Sequence, residues 1–307
     1  MNKIITVPVL LIGFNRPEVI KQSFDYIRKA KPQKLYVAID GPRKNRQGED
    51  LLVDEVRKIV KNIDWDCETH YKFSEENMGA EITVSSAVSW VLENEEFVIV
   101  LEDDVIAPLS FLNFAQEMLY KYANQDNIYM ISSNQTTPIR MSNNEDYLFG
   151  IYGHIWGWAT WKRAWKHFDL NINDFNDFIK SGNIDNFVQN KAEKRHWIST
   201  IKRMQKKGKG NNTWDICWSY IRFKNRGLSI IPRVNLSSNI GVEGLHSKGK
   251  TSNHYRTFDE NFVATIHPKE VIHNKEYDHH HFENYINKRS TFIQRAFNKI
   301  LRILKLK

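Results

Sequence analysis

The sequence predicts an α/β fold in which helices flank a mostly parallel sheet. Over the first 133 residues, short apolar runs alternate with longer amphipathic runs, and the apolar runs end abruptly at polar residues. No apolar run approaches the ~20 residues that a membrane-spanning helix needs. Alternation at these lengths is typical of βαβ units, because parallel strands are joined by crossover helices. Ligands of such folds bind where the strands end, so the polar residues there are the candidates for function.

Each predicted element follows from its pattern of apolar residues. A run of consecutive apolar residues such as 97–101 suits a strand that is buried on both faces. Apolar residues spaced three and four apart, as in 111–122, suit an amphipathic helix. Strands are predicted over 7–13, 35–39, 68–73, 97–101 and 128–132, and helices over 18–30, 51–60, 80–92 and 111–122.

After about residue 140 the alternation ends and the pattern becomes irregular. Residues 156–165 hold four tryptophans, and the helical segments that follow are rich in Asn and Lys. Neither an internal repeat nor a Gly/Ser linker separates the two halves. One domain is therefore predicted over 1–250, divided into a first half 1–135 and a covering half 136–250. An irregular extension is expected over 251–289.

The last segment, residues 290–307, is predicted to be a basic amphipathic helix. Its charged residues are all Lys or Arg. Its apolar residues recur at helical spacing: Phe292, Ile293, Ala296, Phe297, Ile300, Leu301 and Leu304. Such a helix either docks on the protein core or binds an anionic membrane surface, where each Lys or Arg contributes about 1 kcal/mol. The terminal position and the one-signed charge favour the membrane.

Composition excludes several classes of protein. Of the 307 residues, 41% are hydrophobic and 26% charged, which argues against disordered, collagen-like and integral membrane chains. The net charge of +8 favours anionic partners. Two cysteines, Cys67 and Cys217, allow neither a disulfide framework nor a structural zinc site. A cytoplasmic location is expected, peripheral on the inner face of the cell membrane if the terminal helix binds lipid.

The strongest chemical signal is the run Glu102-Asp103-Asp104, which directly follows an apolar strand. Three adjacent carboxylates repel one another, and a bound cation that neutralises them explains their presence. Oxygen ligands at a strand end suit Mg²⁺ or Mn²⁺, which usually keep positions open for substrate phosphates. The alternative is a solvated turn with capping aspartates ahead of Pro108.

With this motif the sequence resembles the nucleotide-diphospho-sugar transferases of the GT-A type, in particular N-acetylglucosaminyltransferase I and bacterial relatives among surface-polysaccharide enzymes. The resemblance covers roughly residues 5–250. It is carried by motifs in the same order: Pro8-Val9-Leu10 to Asn15-Arg16-Pro17, Asp40-Gly41, Glu102-Asp103-Asp104, Gly157-Trp158 to Trp165, Trp214-Asp215, and Asn235 to Gly241.

The resemblance implies a GT-A-like, Rossmann-like sheet with a nucleotide-sugar half and an acceptor-side helical and irregular layer. It further implies an inverting transfer of a hexosyl or N-acetylhexosaminyl group from a nucleotide-diphosphate donor, expected to be a UDP-sugar. The acceptor would be a hydroxyl of a glycan or a lipid-linked saccharide. Nucleic acid is not an expected partner.

Residue by residue, the resemblance assigns the nucleotide to the first two strand ends. Arg16 and Asp40 match positions that hold uracil and ribose, and a carboxylate and a guanidinium suit the imide proton and the carbonyl or phosphate oxygens. Asn77 matches a loop on the nucleotide side. The alternatives are ordinary ones: Asp40 as a turn former before Gly41, and Asn77 as a helix cap.

Within the acidic run, the resemblance makes Asp104 the direct ligand of Mn²⁺ or Mg²⁺. Glu102 and Asp103 match residues that face the nucleotide and the transferred sugar. His246 lies where many GT-A enzymes supply a late histidine to the metal. The surrounding run Glu243-Gly244-Leu245-His246-Ser247 departs from the bacterial relatives, and a solvent-exposed loop histidine is the alternative.

Asp215, between aromatic residues in a helical segment, matches the family's general base. It would take the proton of the acceptor hydroxyl as that oxygen attacks the anomeric carbon. A helix cap is its alternative. Trp214 would stack on a sugar ring or else lie in the core.

Two further patterns have alternatives of their own. Residues 156–165 form either an acceptor-side aromatic wall with His154 and Arg163 or a core stripe. The run 279–281 of three histidines is expected to be a solvated polar segment rather than a metal site.

At the level of function, the alternatives are a sugar-1-phosphate nucleotidyltransferase and a non-catalytic glycan-binding module. The run 14–17 lacks the Gly-rich, basic loop typical of the nucleotidyltransferases.

Overall fold

The computed structural model describes residues 4–136, 144–207, 214–241 and 256–287. The strands in chain order are β1 (Val9–Gly13), β2 (Lys34–Ile39), β3 (Glu68–Phe73), β4 (Phe97–Glu102), β5 (Val105–Ile106), β6 (Ile128–Ser132), β7 (Tyr147–Gly150), β8 (Trp158–Trp161), β9 (Leu228–Pro232) and β10 (Ser238–Asn239). The helices are α1 (Pro17–Ala30), α2 (Glu49–Lys61), α3 (Ala80–Asn94), α4 (Leu109–Lys121), α5 (Lys162–Trp165), α6 (Phe175–Lys180), α7 (Lys191–Lys207), α8 (Trp214–Lys224) and α9 (Lys275–His281).

Eight strands form one sheet in the order β3-β2-β1-β4-β8-β6-β9-β7. β1 pairs in parallel with both β2 and β4, and β6 pairs in parallel with β9. β8 lies antiparallel between β4 and β6, and β7 lies antiparallel to β9 at the edge. Within this sheet, all strands except β8 and β7 therefore point the same way, which confirms the predicted α/β class with its mostly parallel sheet.

Helices cover both faces of this sheet. Every residue of β1 is buried, as expected of a parallel strand enclosed on two sides. α1 contacts α2 and α4, while α3 contacts α5 and α8. Each of the nine elements predicted over the first 132 residues is present, within two residues at either end. The helical layer predicted for the second half is confirmed in α6, α7 and α8, but β7, β8 and β9 also extend the sheet.

The extension after residue 250 is not irregular throughout. Asn274 donates its backbone N–H to the carbonyl of Phe149 at 2.7 Å, and α9 begins one residue later. The Asp278 carboxylate, on α9, accepts backbone N–H groups of Ile151 and Tyr152 at 3.0 and 3.4 Å. This corrects the prediction for 251–289, because α9 is fixed to the end of β7.

None of the described helices is long and apolar enough to cross a membrane. Residues 290–307 lie outside the described residues.

The histidine run 279–281 is only partly solvated, which corrects its prediction as a polar surface segment. His279 and His280 are exposed, but His281 is 1% exposed. Its Nδ1 lies 3.2 Å from the Thr136 hydroxyl, and its ring stacks on Tyr285. Burial, followed by the charges of His280 and Arg256, lowers the pKa of His281 to about 4.

Stability is expected to fall as the pH falls from about 6.5 to 4, because the unfolded His281 binds a proton in this range and the folded one does not. The sign follows from the lowered pKa: the contribution is complete above pH 6.5 and is lost toward pH 4. At pH 5 the loss should be about 2 kcal/mol. Urea unfolding of the wild type and of His281→Asn at pH 7 and pH 5 measures it. An equal loss in both proteins would assign the acid sensitivity to other groups.

Candidate functional site

The candidate site lies at the point where the strand order reverses. From β1 the chain moves outward to β2 and β3, and then returns to place β4 on the other side of β1. In open α/β sheets this switch point forms a crevice at the carboxyl ends of the strands, where ligands bind. Residues 14–17 follow β1 there, and residues 102–104 end β4 and follow it.

Arg16 joins the two strand ends electrostatically. Its Nε donates to Asp103 Oδ2 at 3.2 Å, its Nη2 also contacts the other oxygen of Asp103, and Nη2 donates to Asp104 Oδ2 at 3.0 Å. Burial would lower the pKa of the guanidinium, but the two carboxylates raise it by more. The Asp103 backbone carbonyl accepts from Ser23 on α1 at 2.6 Å. Asp103 is thus fixed and paired, and the guanidinium spans both aspartates.

Glu102, the last residue of β4, lies in a negative field. Burial, followed by the charges of Asp104, Asp103 and Asp215, raises its pKa to about 8. Asp215 lies in the first turn of α8, more than a hundred residues away in sequence. Asp215 is thus near enough for its charge to raise the pKa of Glu102.

Asp104 lies against the ribbon formed by β5 and β10. Its backbone carbonyl accepts from Ile240 at 2.8 Å, and its Oδ1 accepts from the Asn239 amide at 3.1 Å. A Cβ atom added at Gly241 would collide with Asp104 Oδ2. Glycine at this position therefore leaves open the space beside one carboxylate oxygen.

This arrangement fits a divalent cation held by a single carboxylate. Within the described residues, no group of three or more His, Cys, Asp or Glu side chains is arranged to hold a metal ion. Mg²⁺ and Mn²⁺ are often bound through one or two carboxylates, with water and substrate phosphates as the other ligands. Asp104, with the space that Gly241 leaves, would be that carboxylate. His246 lies outside the described residues, and its role as a ligand stays a prediction.

The Asp40 carboxylate is 4% exposed and accepts four hydrogen bonds. Oδ1 accepts backbone N–H groups of Gly41 at 2.9 Å and Met78 at 2.8 Å. Oδ2 accepts the Asn77 amide at 2.8 Å and the Gly79 N–H at 3.0 Å. The predicted pair Asp40 and Asn77 is thus in direct contact, and Asp40 holds the loop before α3. Contact of either residue with a nucleotide stays a prediction.

Close backbone approach reinforces this loop. A Cβ atom on Gly41 would lie 2.5 Å from the backbone of Glu76, so glycine is required there. Gly79, with φ of 80°, precedes the first residue of α3, and a negative charge near a helix N-terminus is favourable. Asp40 therefore connects the end of β2 to the start of α3.

Asp40→Ala is expected to destabilise the protein by about 2–4 kcal/mol, because it leaves buried N–H groups of the loop without an acceptor. Chemical denaturation measures the change. Asp66→Ala, which removes an exposed carboxylate, is the matched control and should change stability by less than about 0.5 kcal/mol. Equal stability of both variants would show that the four hydrogen bonds contribute little.

Trp214 is covered almost completely. It is 5% exposed, and its ring stacks on Trp158 with centroids 5.5 Å apart. The core alternative therefore describes most of its surface, and a sugar could meet only its small exposed edge. Asp215, the next residue, is half-buried.

Most of the 156–165 stretch also belongs to the core, as the core alternative predicts. Trp158 and Trp161 lie within β8, and Trp165 is buried beside them. Arg163 donates to three backbone carbonyls, those of Tyr122, Ala123 and Ile128 at 2.7 to 2.9 Å. Trp156 and His154, by contrast, are half-buried and stack on each other.

No protein-family model matches the sequence, and no curated protein matches it. Solved structures with some similarity include the mannosyltransferase PcManGT from Pyrobaculum calidifontis in complex with GDP-Man and Mn²⁺, at 14% identity over 50% of this chain and 44% of that one, with a TM-score of 0.34. TarS residues 1–349 from S. aureus match at 14% identity over 54% and 49%, with a TM-score of 0.36. HddC from Yersinia pseudotuberculosis matches at 10% identity over 52% and 78%, with a TM-score of 0.33.

The matched part thus spans less than half of the mannosyltransferase and of TarS. At these identities and TM-scores, the similar structures assign neither an activity nor a substrate to this chain.

Sequence reasoning missed a second group of residues at the edge. Glu49 accepts the Arg43 backbone N–H at 2.7 Å, its guanidinium, and the Asn15 amide at 2.9 Å. The hydrogen bond from Arg43 is the main reason why the pKa of Glu49 falls to about 2. The Arg43 guanidinium also lies over the Phe14 ring. Asn15 and Glu49 are 34 residues apart, and no periodic pattern connects them.

Proposed function

We propose that the chain is an inverting glycosyltransferase that uses a nucleotide-diphospho-sugar, in particular a UDP-sugar, and a divalent cation. The acceptor is a hydroxyl of a glycan or a lipid-linked saccharide. The observation that carries the proposal is the contact of Arg16 with Asp104 at the switch point of the sheet, with Asp215 near enough to raise the pKa of Glu102. The resemblance to N-acetylglucosaminyltransferase I and its bacterial relatives supports the same roles for these residues.

On the donor side, Arg16 provides a fixed positive charge at the mouth of the crevice. Its bonds to Asp103 hold the guanidinium plane, and its Nη2 reaches Asp104. A cation at Asp104 would neutralise charge on the departing diphosphate. Asp40 orders the loop that lines the nucleotide side of the same edge.

On the acceptor side, Asp215 acts as general base. The acceptor oxygen forms a bond to the anomeric carbon while the bond from that carbon to the diphosphate breaks, and Asp215 takes the hydroxyl proton. A single displacement from the face opposite the leaving group inverts the anomeric configuration. The position of Asp215 in the first turn of α8, in the second half of the chain, and the effect of its charge on the pKa of Glu102 support this role.

A thermal-shift panel tests donor binding without knowledge of the acceptor. A ligand that binds only the folded state stabilises it, by about 2.7 kcal/mol at a concentration of 100 Kd. UDP and UDP-sugars with Mn²⁺ are expected to raise the Tm, and ADP and CDP with Mn²⁺ are the comparison. If no nucleotide raises the Tm with either Mn²⁺ or Mg²⁺, the proposed donor site is wrong.

A further inference from the structure

A second polar cluster lies at the same edge of the sheet, beyond β6. We call His154, Trp156, Arg256, His281 and Tyr285 the Arg256 cluster. His154 and Trp156 come between β7 and β8, while His281 ends α9 and Tyr285 lies in the π-helical turn that follows. Residues distant in sequence therefore converge on one place.

The rings of this cluster are in mutual contact. The His154 centroid lies 5.0 Å from that of His281 and 4.8 Å from that of Tyr285. Trp156 stacks on His154 at 5.9 Å. The Thr136 hydroxyl lies 3.2 Å from one nitrogen of each histidine. The two imidazoles thus share a neutral hydroxyl.

Among the residues that the structure describes, the charged member of the cluster has no counterion. Arg256 forms no ion pair with any described residue, and its buried Nε has no hydrogen-bond partner among them. The pKa of His154 is lowered first by burial and then by the charges of His281, Arg256 and Arg222. A buried donor without an acceptor is costly, so an anion at this place would be stabilised.

One short strand connects the Arg256 cluster to the candidate active site. The Arg256 backbone N–H donates to Ser238 Oγ at 3.0 Å. Asn239, which follows Ser238, donates its side-chain amide to Asp104. Ser237 donates to the Trp156 carbonyl at 2.7 Å. Successive residues of the 237–239 segment thus hold Trp156, Arg256 and the metal-side carboxylate.

We propose that the Arg256 cluster is the acceptor subsite and binds a saccharide that carries an oxyanion, either a phosphate or a carboxylate. The proposal rests on the proposed function. Trp156 and Tyr285 are half-buried rings that suit the apolar face of a sugar. The Arg256 guanidinium suits the planar or tetrahedral oxyanion, because its donors are arranged as a fork.

Calorimetric titration of the full chain tests this with three probes: glucose 1-phosphate, glucuronic acid and glucose. We expect at least one anionic sugar to bind about tenfold or more tightly than glucose, and the tighter of the two identifies the oxyanion. Arg256→Gln should abolish this preference. Arg195→Gln removes one exposed positive charge on α7 and should preserve it. Arg256→Lys keeps the charge without the fork and should retain a reduced preference.

Wild-type protein that binds glucose as tightly as both anionic sugars would overturn the proposal. An unchanged preference in Arg256→Gln would also overturn it. If Arg256→Gln melts early, a folded His154→Gln that binds all three probes as the wild type does would overturn it instead. The titration needs no donor. A chain that binds the anionic sugars through Arg256 but releases no UDP would contradict the proposed function alone, and a chain that releases UDP without this preference would contradict the subsite alone.

Discussion

Asp104→Asn is expected to reduce metal-dependent transfer by about 10³-fold or more, because the amide removes the charge that would hold the cation against the diphosphate. Asp104 presents Oδ2 to the space beside Gly241, and Arg16 Nη2 donates to the same oxygen. Steady-state rates of UDP release from a UDP-sugar measure the loss. Binding of Mn²⁺, followed by electron paramagnetic resonance in the presence of UDP, should weaken in parallel.

Asp66→Asn is the matched control for this substitution, since it removes an exposed carboxylate far along the chain from the acidic run. It should leave both the rate and the binding of Mn²⁺ unchanged. Asp104→Asn with wild-type rates and wild-type binding of Mn²⁺ would remove Asp104 from the site.

Asp215→Asn is expected to lower kcat by about 10²- to 10⁴-fold while the affinity for the donor is retained. Asparagine keeps the shape of the side chain and loses the proton acceptor. Asp215 is half-buried, and the amide occupies the same space as the carboxylate, so the effect on donor binding should be small. Steady-state kinetics gives kcat, and titration with UDP and Mn²⁺ gives donor affinity.

The pattern of the two parameters decides the role of Asp215. A general base affects the chemical step, whereas a donor-binding residue affects affinity. Weaker donor binding with unchanged kcat would show that Asp215 is not the base. Trp214→Phe keeps an aromatic ring in the stack with Trp158. Its kcat and donor affinity show how much a disturbance of α8 alone changes these two parameters.

The first half of the fold is predictable because its signals are local. Apolar runs such as 97–101 and helical spacing such as 111–122 depend on neighbours within a few residues, and the elements lie where they were predicted. The acidic run after β4 and Arg16 after β1 meet because carboxyl ends of parallel strands share one edge.

The rest depends on contacts between distant segments, which periodicity does not reveal. β8 reads as part of an aromatic stretch and becomes a strand only because it pairs with β4 and β6. The sequence predicts a solvated His281 beside two other histidines, yet the side chain is buried and its Nδ1 contacts the Thr136 hydroxyl. Asp40, followed by Gly41, has the sequence of an ordinary turn. Only the fold shows that its carboxylate accepts four hydrogen bonds from the end of β2 and the loop before α3.

The identity of the released product tests the central claim most directly. Wild-type protein incubated with UDP-sugars and Mn²⁺ is expected to release UDP, and release should stop in excess EDTA and in both Asp104→Asn and Asp215→Asn. UDP release that continues undiminished in EDTA would contradict a metal-assisted site at Asp104. Release of pyrophosphate from UTP and a sugar 1-phosphate, without UDP release from any UDP-sugar, would show that this edge of the sheet is the site of a nucleotidyltransferase instead.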